Sequence, residues 1–186
     1  MLCHFSAGSS DDWRPDFGVF RAADMGNPLD GWPGERWLDS RSDIVRAVML
    51  ARIRLAAEKG CEGVEPDNWA GFHLTADNHL DYNQFLADEA HWAGLAVALK
   101  NNVVQVSDLA ASFDLAVKEQ CHEYDECEAY SAFTTLGKPV LNAEYAAAYP
   151  TEAGKAALCV QAPVEGQSTL ILPLNLNDSF RVACTD

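Results

Sequence analysis

An α/β fold built on a parallel sheet is predicted from three features of the sequence. Strand-like and helix-like segments alternate along the chain. The strand-like runs are apolar throughout rather than alternating, as parallel strands covered on both faces are. Nearly every such run ends, on its C-terminal side, in polar or ionisable residues, where barrel enzymes keep their chemistry. A doubly wound open sheet is the competitor, but no GxGxxG or P-loop follows any strand. The expectation is therefore a (β/α)8 TIM-barrel-like domain. About seven strands are countable in the sequence, one short of the eight a closed barrel needs.

In chain order, Leu2–Ser6 reads as a short strand that enters a long polar loop at Ala7-Gly8-Ser9-Ser10. Loops of this length without regular structure are usually functional. Arg36–Asp39 reads as a short strand ending in acid. Ser42 is placed to cap a helix beginning at Asp43, with Ile44, Val48, Ala51 and Leu55 at helical spacing and Gly60 as its stop. Cys61–Glu65 follows as a strand. Thr75 caps a second helix with Tyr82, Leu86, Ala90 and Ala93 on one face, closed by Gly94.

Leu95–Leu99 is an apolar strand ending in Lys100-Asn101-Asn102. A short helix around Val104–Ala111 leads to a strand at Asp114–Val117, ending in Lys118-Glu119-Gln120. A helix around Asp125–Leu136 stops at Gly137. Pro139–Leu141 is a strand ending in Asn142-Ala143-Glu144-Tyr145. A helix near Glu152–Leu158, a strand near Thr169–Leu172 and a short closing helix complete the series.

The chain has 186 residues, which suits one domain over 1–186 with a sizeable core. Its net charge of −15 excludes nucleic acid as a natural partner, since phosphate binding needs basic surface. A neutral or cationic ligand fits the sign, and so does plain solubility. No run is long enough to span a membrane, so no membrane partner is expected. Met1-Leu2-Cys3-His4-Phe5 has neither the basic flank nor the apolar stretch of a signal peptide.

Six cysteines, an even number, nonetheless suggest disulfides and an oxidising compartment. Cys121 and Cys127 can close a tight local loop, and Cys159 and Cys184 can tie down the last segment. Cys3 and Cys61 sit in strand-like runs and are expected as buried free thiols. Six cysteines allow 15 pairings, and sequence alone does not choose among them. None of the spacings is a CxxC pair, and His73, His79, His91 and His122 form no HExxH. No metal and no cofactor are expected.

Chemistry concentrates in GCEGVEPDNWAGF, residues 60–72. Burying a carboxylate is costly unless it is paired or put to use. Side chains alternate along a strand, so Cys61, Gly63, Glu65 and Asp67 share one side, with small Gly63 leaving room beneath the acids. Glu119 shares a side with Leu115 and Val117 on its own strand. Trp13, Trp32 and Trp69 lie in loops on the mouth side and offer flat faces on which a ligand can stack, whereas Trp92, on a helix, is assigned to packing.

SAGSSDDWRPDF (6–17), GNPLDGWPGERWLD (26–39), GCEGVEPDNWAGF (60–72), LKN (99–101), KEQCHEYDEC (118–127) and GKPVLNAEY (137–145) together resemble glycoside hydrolase family 114, nearly the whole chain in order. That family contains the endo-α-1,4-polygalactosaminidases. The resemblance implies a (β/α)8-type barrel, an extracellular protein, and cleavage of galactosamine-containing polysaccharide, which is cationic where deacetylated. It implies Asp67 as nucleophile and Glu119 as general acid/base. Glu65, Asn68, Lys100, Asn101, Tyr124, Glu144, Asp39 and Trp69 would contact substrate, and a Cys121–Cys127 disulfide would shape the loop after Glu119. A monomer is expected.

Against the family pattern the chain begins inside the second strand, so the first strand is expected to be missing. Lys118 stands where a neutral polar residue is usual, and His4 where Tyr is frequent. A lysine beside Glu119 would favour its ionised form. Burial and the charges of Asp67 and Glu65 would act the other way and raise it, while Lys100 or backbone donors would keep Asp67 ionised. The expected mechanism is retaining, with the two carboxyl groups about 5–5.5 Å apart. The alternative is a silent or truncated relative that binds carbohydrate without cleaving it.

Overall fold

The structure, a computed structural model, describes residues 1–67 and 72–184. The chain divides into two compact units, 1–98 and 99–186.

In the first unit β1 (Leu2–Ser6) runs into an excursion that carries β2 (Ser9–Asp11), β3 (Met25–Pro28) and β4 (Glu35–Leu38). These three form a separate antiparallel sheet in the order β2-β4-β3. The excursion is therefore not an irregular loop, and the strand expected at Arg36–Asp39 belongs to this small sheet, not to the parallel one. The polar residues of β2 are buried: Ser9 donates to half-buried Glu35 of β4 at 2.6 Å, and its hydroxyl lies 2.6 Å from that of Ser6 in β1.

Next come α1 (Asp43–Glu58), β5 (Gly63–Asp67), α2 (Ala76–Trp92) and β6 (Ala96–Lys100), the last crossing the boundary at residue 98. Ser42 Oγ accepts the Ile44 N–H, and Thr75 and Asn78 form a reciprocal capping box, as their residue types predict. Val45, Met49 and Ile53 of α1 and Tyr82, Leu86 and Ala90 of α2 supply the buried helix faces.

Arg52 of α1, itself buried, fastens the excursion down. Its guanidinium donates twice to Asp16 at 2.8 Å and once to the Ser6 carbonyl at 2.7 Å.

Strand β1 pairs in parallel with β5, Leu2 opposite Gly63 through Ser6 opposite Asp67. Gly63 is required by close approach. A Cβ there would lie 2.7 Å from Leu2 Cδ2 and 2.8 Å from the Ala96 carbonyl, so its smallness seats the neighbouring strands and not the acids above it. Cys3 and Cys61 are not free thiols: they are joined in a disulfide, with Cα atoms 6.0 Å apart. Parallel neighbours bring them within bridging distance, which their separation in sequence conceals.

In the second unit a 3₁₀ turn (Val103–Gln105) leads to α3 (Val106–Leu109) and then to β7 (Leu115–Glu119). A second 3₁₀ turn (Cys127–Tyr130), α4 (Ser131–Thr135), β8 (Val140–Tyr145), α5 (Glu152–Val164), β9 (Gln167–Leu172) and β10 (Val182–Cys184) follow. β7, β8 and β9 are parallel, and β10 closes antiparallel on β9, so the last segment is a strand and not the expected helix. The Cys159–Cys184 disulfide ties α5 to β10 over a core of Leu158 and Ile171.

The Cys121–Cys127 disulfide closes the loop after β7, with Cα atoms 4.8 Å apart. Gln167, the first residue of β9, donates to the Cys127 carbonyl at 3.3 Å.

Candidate functional site

Each unit brings its own carboxylates to strand ends.

In the second unit Glu119 is the last residue of β7, its side chain 30% exposed. Oε1 accepts a hydrogen bond from the Tyr145 hydroxyl. Oε2 lies 3.2 Å from the Lys100 ammonium and 3.5 Å from Asn101 Nδ2. Asn101 turns its own carbonyl to the Glu119 N–H at 3.1 Å, and its backbone N–H reaches the Val117 carbonyl at 2.9 Å. Tyr130, buried, donates to the Asn101 carbonyl at 2.8 Å. Asn101 and Asn102 both hold positive φ, 53° and 56°, a conformation that asparagine tolerates better than most residues.

Burial pushes the Glu119 carboxyl up, but the Tyr145 hydrogen bond and the Lys100 charge outweigh it and hold the group below the usual range. This corrects the expectation of a raised acid. It also reassigns the cause, because Lys118 takes no part: its buried ammonium pairs with Glu126 at 2.7 Å. Lys100 is the cation against Glu119.

The strand registers explain which side each residue takes. Glu119 is opposite Ala143 and Lys118 opposite Asn142. Side chains alternate, so Tyr145 shares the Glu119 face and Glu144 the Lys118 face. Glu144 is completely buried on that other face. It accepts the His122 N–H at 2.9 Å, Asn142 Nδ2 at 3.0 Å and the Tyr149 hydroxyl at 3.2 Å. Glu144, expected to line the substrate site, anchors the loop after β7 through these bonds. Burial and the Glu144 charge push the Tyr149 hydroxyl up. Tyr124 lies in that loop, exposed, with Gln120 donating to its hydroxyl at 3.3 Å.

In the first unit Asp67 ends β5 two residues after Glu65, on the same side of the strand. The Asp67 carbonyl receives the N–H groups of Ala7 at 2.7 Å and Gly8 at 3.1 Å, which seats the exit of β1 on the end of β5. Glu65 is mostly buried and lies 3.6 Å from His4 Nδ1 across the β1–β5 pair. Asp39 is held by a bidentate Arg41 at 2.8 Å through each nitrogen, which keeps its carboxyl low. Asn68 and Trp69 lie outside the described residues.

Trp13 and Trp32 are exposed in the excursion, with the Arg14 guanidinium 4.5 Å above the Trp13 ring. Trp92, expected in packing, is 88% exposed, because it ends α2 beyond the buried stripe.

Among the described residues one group of metal-ligand type is close together, Cys121, His122 and Cys127. Its two sulfurs are joined to each other and present no thiolate. Sequence reasoning missed Tyr145, although GKPVLNAEY contains it; the signal was the two-residue spacing from Ala143, which places it on the Glu119 side.

The sequence model described as glycoside-hydrolase family GH114 matches residues 1–186. Among solved structures, the chain is similar to Aspergillus fumigatus Ega3 in complex with galactosamine. The identity is 38%, the match covers 98% of this chain and 78% of that one, and the TM-score is 0.90. It also shares its fold with the glycoside hydrolase domain of PelA from Pseudomonas aeruginosa. There the identity is 15%, the coverage 98% and 81%, and the TM-score 0.70. No curated protein matches the chain. With a family match along its whole length and a solved relative above a third identical, the chain belongs to glycoside-hydrolase family GH114, as a glycoside hydrolase of TIM-barrel-like fold.

Proposed function

We propose that this hydrolase cleaves α-1,4-linked galactosamine-containing polysaccharide in an endo-acting, retaining reaction. The observation that carries the reading is the similarity, at 38% identity, to Ega3 bound to galactosamine. The net charge of −15 suits a polymer that is cationic where deacetylated. Three disulfides support an extracellular setting. A monomer of one barrel domain over 1–186 completes the reading, without metal or cofactor.

Cleavage needs one carboxyl to protonate the departing oxygen and a second to attack the sugar carbon. Glu119 takes the first duty: it ends a strand, is partly exposed, and is seated by Tyr145, Lys100 and Asn101. Asp67 takes the second, forming the glycosyl–enzyme bond that water then breaks. Glu65, Asn68, Trp69, Lys100, Asn101, Tyr124 and Asp39 remain proposed substrate contacts, the last competing with its Arg41 clamp.

The test is mass spectrometry of α-1,4-galactosamine oligosaccharides incubated with the purified chain and with Asp67→Asn and Glu119→Gln. Shorter products from the parent alone support the reading. Unchanged cleavage by either variant sinks its residue assignment. One observation favours the second reading, a relative that binds without cleaving: Lys100 and Tyr145 hold Glu119 ionised, whereas a general acid must carry a proton. Retained oligosaccharide binding by a folded parent that yields no products would decide for it.

A further inference from the structure

We infer that Tyr145 is a positioning residue that keeps Glu119 seated in both of its protonation states. The inference rests on the proposed acid/base duty of Glu119.

That duty makes the carboxyl alternate. It must be an acid before the leaving oxygen is protonated and a carboxylate afterwards. The groups around it differ in what they tolerate. Lys100 presents an ammonium, which has donors and no acceptor. Asn101 has an acceptor, but its carbonyl is engaged by the Glu119 N–H, so it presents Nδ2 to the carboxylate. A proton on Oε2 would meet donors on both sides.

Oε1 faces the Tyr145 hydroxyl, which both donates and accepts. Toward the carboxylate the tyrosine gives its hydrogen. Toward the acid it turns about its C–O bond and accepts the carboxyl proton. The proton therefore rests on Oε1, beside Tyr145.

The steps balance without any further reagent. The proton leaves Oε1 of Glu119, and its hydrogen bond to the tyrosine oxygen, for the glycosidic oxygen, as Asp67 bonds the sugar carbon and the bond from that carbon to the glycosidic oxygen breaks. The leaving chain departs as a hydroxyl, and Tyr145 turns back to donate to the new carboxylate. When water attacks the glycosyl–enzyme bond, its proton returns to Glu119. Tyr145 keeps its own proton throughout. The fold supplies the placement: Tyr145 closes β8 on the face that Glu119 occupies at the end of β7, two residues past the Ala143 that pairs with it.

The test is Tyr145→Phe, which removes one oxygen and leaves the ring. The Glu119 carboxyl is titrated by carbon NMR in protein labelled at glutamate, its resonance identified by its loss in Glu119→Gln. The hydrogen bond favours the ionised form, so its removal raises the Glu119 pKa. The expected result is that rise together with a kcat about tenfold lower, a KM within about twofold, and the Glu119 limb of the pH–rate profile displaced upward. An unmoved titration overturns the inference, as does a moved titration with unchanged kcat.

Should Tyr145→Phe not fold, 3-fluorotyrosine at position 145 keeps the shape and strengthens the donor. It lowers the Glu119 pKa, and no change there overturns the inference equally. The titration needs no substrate. A chain that cleaves no galactosamine polymer would therefore end the proposed function, while the titration still tells whether Tyr145 seats Glu119.

Discussion

Glu144 and Tyr145 are consecutive residues of one strand that serve opposite sides of it: Glu144 is buried against the loop after β7, and Tyr145 holds the carboxylate of Glu119. Two neighbouring polar side chains thus fix the same loop–strand junction from both faces, one by anchoring backbone and one by orienting a carboxylate.

Glu144→Gln and Glu119→Gln should accordingly fail in different ways. Gln at 144 turns an amide toward groups that donate to the carboxylate, so stability should fall by about 1–3 kcal/mol. Glu119→Gln, at a partly exposed position, should cost less than this and abolish cleavage. Thermal unfolding and product analysis on the two variants separate these outcomes; equal destabilisation by both would contradict the assignment.

Lys100→Met removes the cation 3.2 Å from Glu119. The Glu119 pKa should rise, since a nearby opposite charge favours the ionised carboxylate. Carbon NMR titration reads the shift directly, and a fall would show that some other group sets the acidity.

Arg52 is the buried clamp between α1 and the excursion. Arg52→Met should cost about 3 kcal/mol, because the buried Ser6 carbonyl loses its guanidinium donor and Asp16 its bidentate partner. Urea unfolding followed by circular dichroism measures it. A loss below about 0.5 kcal/mol would mean that the small sheet holds itself.

Acid should weaken the protein, and the sign is fixed by the direction of the shifts. The Asp24 carboxyl is lowered chiefly by its Arg21 hydrogen bonds, and Asp16 by Arg52. Glu119 is lowered by Tyr145 and Lys100 against the upward pull of its burial. A carboxyl whose folded pKa is depressed contributes stability that is complete above its unfolded value, about 4, and is lost as pH falls through its folded value. Urea midpoints should hold from about pH 7 to about pH 5 and drop steadily below about pH 4. In Arg52→Met the drop should be shallower.

The three disulfides should differ in worth by the length of chain they close. Replacing Cys3 and Cys61 by serine opens a closure of 58 residues and should cost about 4 kcal/mol, whereas opening Cys121–Cys127, six residues apart, should cost about 2 kcal/mol. Chemical denaturation of the paired-serine variants tests the order, and a reversed order would place the stabilisation in native contacts rather than in chain entropy.

Where local chemistry decides structure, the sequence was readable. Ser42 and Thr75 mark helix starts, Gly60 and Gly94 mark their ends, and apolar Leu2–Ser6 is the strand observed. Where a partner distant in sequence decides, it was not. Ser9-Ser10-Asp11 looks like loop because its strand character comes from pairing with Glu35–Leu38 and from Glu35 accepting the Ser9 hydroxyl. Val182–Cys184 is a strand because β9 offers it an edge and Cys159 a bridge.

The same limit operates at the site. That Glu119 ends a strand follows from pattern. That its cation is Lys100 rather than Lys118, and that Tyr145 gives it a hydroxyl, follows from which way each strand faces, which a motif does not carry.

The tight bridge behind Glu119 has one more consequence, for proteolysis. Residues 122–126 are enclosed between Cys121 and Cys127, and the other two bridges join residues on the same side of that segment. A protease that cuts the peptide chain once within 122–126 leaves two fragments still held by a covalent link directly after the Glu119 strand. Such a nicked molecule migrates as one species until a thiol is added, and only then separates in two.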